Sequence, residues 1–129
     1  MPPSARFPYP GHDTEFEVQA FLMVALRSAG FDARGEVPGE IYYQGACRNI
    51  RADILIFDNT ATPQIIVEVK TSKKYGPKIS KKREEREREQ RDQYRACGMP
   101  LVYCHGVTQI GPVVGWVTST AEHLPEDFQ

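Results

Sequence analysis

Two short segments carry the residues whose chemistry stands out. The segment Ile65-Ile66-Val67-Glu68-Val69-Lys70 is apolar except for one acid and one amine. Side chains alternate along an extended strand, so Glu68 and Lys70 leave the same face roughly 7 Å apart, while Val67 and Val69 face the other way. Burying such groups costs free energy unless they are paired or put to use. Upstream, Arg51-Ala52-Asp53-Ile54-Leu55-Ile56-Phe57 sets a single acid, Asp53, near the start of an apolar run. If the two segments pair as a hairpin, two carboxylates and an ammonium meet at one end of it. That set suits a hard divalent cation such as Mg²⁺ or Mn²⁺. Asp53, Glu68 and the Val69 carbonyl supply oxygens, and waters complete the shell. A metal so held polarises a phosphoryl oxygen and lowers the pKa of a bound water. Lys70 can orient that water or offset charge developing on phosphorus. The plain alternative for Glu68 and Lys70 is an ordinary strand ion pair.

These segments need elements to position them. Residues 14–29 have helical spacing, with Val18, Phe21, Leu22, Ala25, Leu26 and Ala29 on one face. Thr14 and Glu17 form a capping box at the start, and Gly30 ends the helix. At 100° per residue Glu15 lies nearly in line with Leu22 and Leu26, so its carboxylate is expected to point toward the body and join the acids. The competing role for Glu15 is a first-turn acid favoured by the helix dipole. Residues 31–37 and 40–44 read as short strands parted by a Pro38-Gly39 turn. Residues 50–57 and 64–70 read as a central hairpin, apolar on nearly every residue, as where a sheet is covered on both faces. A charged helix spans 80–97, stopped by Gly98 and Pro100. Residues 101–105 form another strand, and 113–117, after Gly111-Pro112, a possible fifth.

Asp53, a spacer of fourteen residues and then Glu68-Val69-Lys70 resemble the motif of the PD-(D/E)XK nuclease superfamily. The order helix, three strands, helix, strand is similar to its restriction-endonuclease-like core. The likeness extends over residues 14–117, although Ala52 stands where the proline of the family's name would be. In the second helix, Gln90-Arg91-Asp92-Gln93-Tyr94 resembles the QxxxY motif of RecB-like members. Residues four apart share a helical face, so Gln90 and Tyr94 can reach the metal centre or the scissile phosphate together. The resemblance implies an α/β fold with a central mixed sheet of four to five strands flanked by helices. It also implies a Mg²⁺-dependent deoxyribonuclease, acting through an activated water in repair, recombination, restriction or phage DNA processing. Two other readings stand beside it: a non-catalytic nucleic-acid-binding or assembly module on the same fold, and a homodimeric resolvase of branched DNA. Some RecB-like enzymes hold an iron–sulfur cluster on four cysteines; Cys47, Cys97 and Cys104 are three, so none is expected.

The 129 residues suit one domain, residues 14–118, between an extended proline-rich arm (1–13) and a polar tail (119–129). Sixteen Lys and Arg against 17 Asp and Glu leave a net charge of −1, so only local clustering argues for a polyanionic partner. It occurs between residues 70 and 83, where seven cations, among them Lys73, Lys74 and Lys78, stand without an acid. With Arg51 and Arg48, this block can follow a phosphate backbone, single-stranded, duplex or branched. The odd cysteine count outside any CxxC pair suggests buried, reduced thiols and a cytoplasmic setting. No apolar run suggests a secretory signal or membrane anchor.

Overall fold

The computed structural model describes residues 14–70 and 81–123. The proline-rich arm, the loop with Lys73, Lys74 and Lys78, and the end of the tail lie outside the described residues. The elements run α1 (Glu15–Ser28), β1 (Asp32–Tyr43), β2 (Ala46–Phe57), β3 (Pro63–Val69), α2 (Lys81–Ala96), β4 (Leu101–Cys104) and α3 (Ile110–Glu122). One mixed four-stranded sheet has the order β1-β2-β3-β4. Its first three strands are antiparallel neighbours, and β4 returns parallel to β3 after the α2 crossover. No helix among the described residues is long and apolar enough to cross a membrane.

The sheet is covered on both faces, as its continuous apolar strands require. Ile65, Val67 and Val69 of β3 pack with Val18, Leu22 and Leu26 of α1 and with Val113 and Val117 of α3. The alternate residue Ile66 packs on the opposite face with Leu55 and with Tyr94 of α2. Alternation therefore sends Glu68 toward α2.

Local chemistry explains most boundaries. Thr14 Oγ1 accepts the Glu17 N–H at 3.3 Å as N-cap of α1. Gly30 follows at φ 96°, and Gly98 at φ 76° plays the same part after α2. Gln44 and Gly45, both at positive φ, make the two-residue turn between β1 and β2. At the β2–β3 turn, Asp58 Oδ1 accepts from the Thr60 hydroxyl and from the N–H groups of Thr60 and Thr62. The Thr60 hydroxyl, with these amides, keeps Asp58 below the usual carboxylate range.

Four expectations are corrected. Pro38-Gly39 is no turn but part of one twelve-residue strand, because β1 lies at the sheet edge, where a residue without an N–H breaks no ladder. Residues 113–117 are helical, not a fifth strand. Ile110, Val113, Val114, Val117 and Ala121 recur at helical spacing against the core, and Pro112 falls in the first turn, where its missing N–H is not needed. The same helix carries the expected tail as far as Glu122. Cys47 is exposed on the β1–β2 arm rather than buried.

Candidate active site

The site forms where the long β1–β2 hairpin changes face. Ala33 packs in the α1–α3 core, and a Cβ on Gly35 would meet Gln19 and Met23 of α1. Val37, which strict alternation would put on that same face, instead packs in the Tyr94 cluster. On β2, Ile54 and Ile56 lie with α1 and α3, yet Ile50 and Ala52 lie with Tyr94. The switch falls at Glu36, held at φ 54°, and at Asp53 opposite it, the one position skipped in an otherwise constant register. A left-handed non-glycine residue is uncommon and costs on the order of 1 kcal/mol or more, so surrounding contacts must hold it.

Asp53 has no register partner on β1 or β3, and side chains engage its peptide. Its N–H donates to Glu68 Oε1 at 3.3 Å, and its carbonyl accepts from Gln19 Nε2 at 2.9 Å. Gly35 leaves the space in which the Gln19 amide lies, since a Cβ there would sit 3.3 Å from Nε2. The Asp53 carboxylate in turn accepts the Val69 N–H through Oδ2 at 2.8 Å. The two acids thus meet across β2 and β3, each taking a backbone proton from the other's strand. Replacing Gln19 by Leu should leave the Asp53 carbonyl unpaired and lower stability by about 1–3 kcal/mol. Thermal unfolding of Gln19→Leu measures this, and an unchanged midpoint would remove Gln19 from the support of the site.

Glu68 is 1% exposed. Burial, then the hydrogen bond and charge of Asp53, push its carboxyl up to about 9, against a weaker opposing pull from the Tyr94 hydroxyl beside it. Tyr94 is buried beneath α2 and donates to the Arg51 carbonyl at 3.0 Å. Burial and then the charge of Glu68 raise its hydroxyl well above the ordinary tyrosine value, eased by Gln90. Of the helical pair, Tyr94 reaches the carboxyl pair, and Gln90, one turn earlier on α2, acts on the Tyr94 hydroxyl.

Other expected residues fall differently. Lys70 directly follows β3, and its N–H donates to the Cys104 carbonyl at 3.0 Å, prolonging the parallel ladder. Its Cβ accordingly shares the face of Glu68. Arg51 is exposed beside Ala52. Glu15 does not point toward the body: it is exposed in the first turn of α1, next to Phe16 at 82% exposure. The buried stripe begins only at Val18, so the first turn stands clear and its acid gains from solvent and the helix dipole. Gln19, one turn further on, is the α1 residue that touches the site.

Sequence reasoning missed Gln19 and Tyr103. Tyr103 is the parallel-strand neighbour of Glu68, with the Arg91 guanidinium 5.4 Å from its ring centre. Gln90 Oε1 is buried without a hydrogen-bond partner among the described residues, while the buried Tyr103 hydroxyl has the Arg91 guanidinium beside it. Buried polar atoms are seldom left without a partner. Alternation along 101–104 could have put Tyr103 on the Glu68 face; nothing in sequence marks Gln19 beyond its place between Val18 and Leu22.

Among the described residues no group of three or more His, Cys, Asp and Glu could hold a metal ion. Two carboxyls and a nearby main-chain carbonyl are the available donors, a set compatible with an ion that keeps most of its waters, as Mg²⁺ does. No protein family, curated protein or solved structure matches the chain.

Proposed function

We propose that this chain is a metal-dependent nuclease that hydrolyses phosphodiester bonds of DNA on a PD-(D/E)XK-like core. The observation that carries this reading is the meeting of Asp53 and Glu68 inside an apolar sheet, with Glu68 pushed up to about 9 by burial and its neighbour. Asp53 and burial together oppose the ionisation of Glu68, and a cation in place of its proton removes the conflict. Strongly perturbed acids are frequent at functional sites.

Asp53, Glu68 and the Val69 carbonyl are the groups that would hold Mg²⁺ or Mn²⁺. When bound, such an ion supplies a polarised phosphoryl oxygen and a bound water of lowered pKa. Lys70, on the face of Glu68, orients the attacking water and offsets negative charge on the transition state. Tyr94, with Gln90 beside its hydroxyl, meets Glu68 from the side of α2. DNA repair, recombination, restriction and phage DNA processing are the settings for such chemistry, in the cytoplasm.

The test is cleavage of labelled single-stranded, duplex and branched DNA in EDTA, Mg²⁺ or Mn²⁺, with Lys70→Ala beside the native protein. Metal-dependent cutting that disappears in Lys70→Ala is the expected result. A folded protein that binds DNA and cuts none of these substrates would overturn the reading. One observation favours a second reading, a non-catalytic nucleic-acid-binding module: both carboxyls already accept backbone N–H groups, so they also knit β2 to β3 without an ion.

A further inference from the structure

A cleft of about 380 Å³ lies between the amino-terminal half of β2 and α2. Gln90 and Tyr94 line it, and Tyr94 also lies against Glu68, so one wall of the cleft is shared with the carboxyl pair. Its remaining wall is polar in a particular way. Asn49 and Gln93 add two further amides, Arg51 and Arg86 add two cations, and Ile50 provides an apolar surface. The one acid in the wall, Glu89, is engaged by Arg48 at 3.2 Å. The net character is three amides and two guanidinium groups that enter no ion pair among the described residues.

Amides carry a donor and an acceptor side by side, which is the pattern of a base edge, and guanidinium groups match phosphate oxygens in a fork. The cleft's volume lies at the small end of ligand pockets, right for a single nucleotide. Duplex reading needs a convex element that enters a groove. A concave cleft does the opposite and takes a base that is already out of a stack. The Gln90 amide stands in the same wall, and its Oε1 has no hydrogen-bond partner among the described residues.

We infer that this cleft is a subsite for one unpaired nucleotide next to the scissile phosphate, its base held by Asn49, Gln90 and Gln93 and its phosphate by Arg51 and Arg86. This rests on the nuclease reading for its place beside the reaction, and it narrows the substrate to single strands, overhangs or junctions with unpaired bases. A blunt duplex offers nothing to fill the cleft.

Binding and cutting separate the two ideas. Fluorescence anisotropy in EDTA compares a short labelled single strand with a blunt duplex, for the native protein and for Asn49→Leu and Gln93→Leu, with circular dichroism as the check on folding. The native protein should prefer the single strand, and each variant should lose about tenfold in single-strand affinity, the scale of one good amide–base contact, while duplex binding stays unchanged. Equal affinity for both forms, or folded variants that keep the preference, would overturn the subsite. Cleavage with Mg²⁺ is then scored separately. Selective single-strand binding without any cutting upholds the subsite and removes the nuclease reading; cutting without the selective loss in both variants does the reverse.

Discussion

Asp53→Asn should lower metal-dependent DNA cleavage on the order of 10²–10³-fold or more while the protein stays folded. The substitution keeps the shape of the side chain and an oxygen that can still accept the Val69 N–H, now 2.8 Å from Oδ2. What it removes is charge. The loss of that charge should also relax Glu68, because the hydrogen bond and charge of Asp53 follow burial as the causes that raise its carboxyl. Stability at neutral pH should therefore hold or rise, even as cutting disappears. This pairing of outcomes distinguishes a site residue from a structural one, whose replacement would lower stability and activity together. Rates with Mg²⁺ and thermal midpoints on the same preparation check it, and full cleavage by Asp53→Asn would sink the assignment of both carboxyls.

The residues that meet at this position were readable to different degrees, for physical reasons. Asp53, Glu68 and Lys70 stand out because charged groups in apolar strands are costly, and a hairpin of local connectivity brings two of them together. Gln90 and Tyr94 were reachable from helical spacing alone, since one turn sets their common direction. Glu15 was misjudged by the same kind of geometry: helical angle specifies which side a residue is on, but not where along the axis the sheet begins to cover it. The covered stripe starts at Val18, one turn late for Glu15 and in time for Gln19. The face switch at Glu36 and Asp53 was invisible, because a glutamate at positive φ leaves no mark in composition. Residues 113–117 misled for yet another reason. Four β-branched and aromatic residues within five positions after Gly-Pro fit a strand as well as a helix, and only the longer series from Ile110 to Ala121 separates the two periods.

In metal-free buffer the native protein should become less stable as pH rises, and Glu68→Gln should remove most of that trend. Glu68 keeps its proton in the fold up to about 9, against an ordinary value of 4.5 that it regains on unfolding. Between these two values the folded state binds more protons than the unfolded state, so unfolding releases them and is favoured by alkali. The contribution is fully present below about 4.5 and is lost as pH climbs through about 9. Its size is on the order of a few kcal/mol, a large part of the stability of a single small domain. A glutamine at 68 has no proton to lose and can still accept the Asp53 N–H, so the variant should be the more stable protein in mildly alkaline EDTA. Mg²⁺ should reverse the ranking: it competes with the Glu68 proton, so it should raise the native midpoint more strongly as pH rises and leave Glu68→Gln nearly unmoved. Thermal melts of both proteins across this pH range, with EDTA and then with Mg²⁺, measure all three effects. Parallel pH curves for the two proteins would show that Glu68 is not held protonated by its neighbours. A native midpoint indifferent to Mg²⁺ would instead separate the buried acid from metal binding and leave the carboxyl pair as a clasp between β2 and β3.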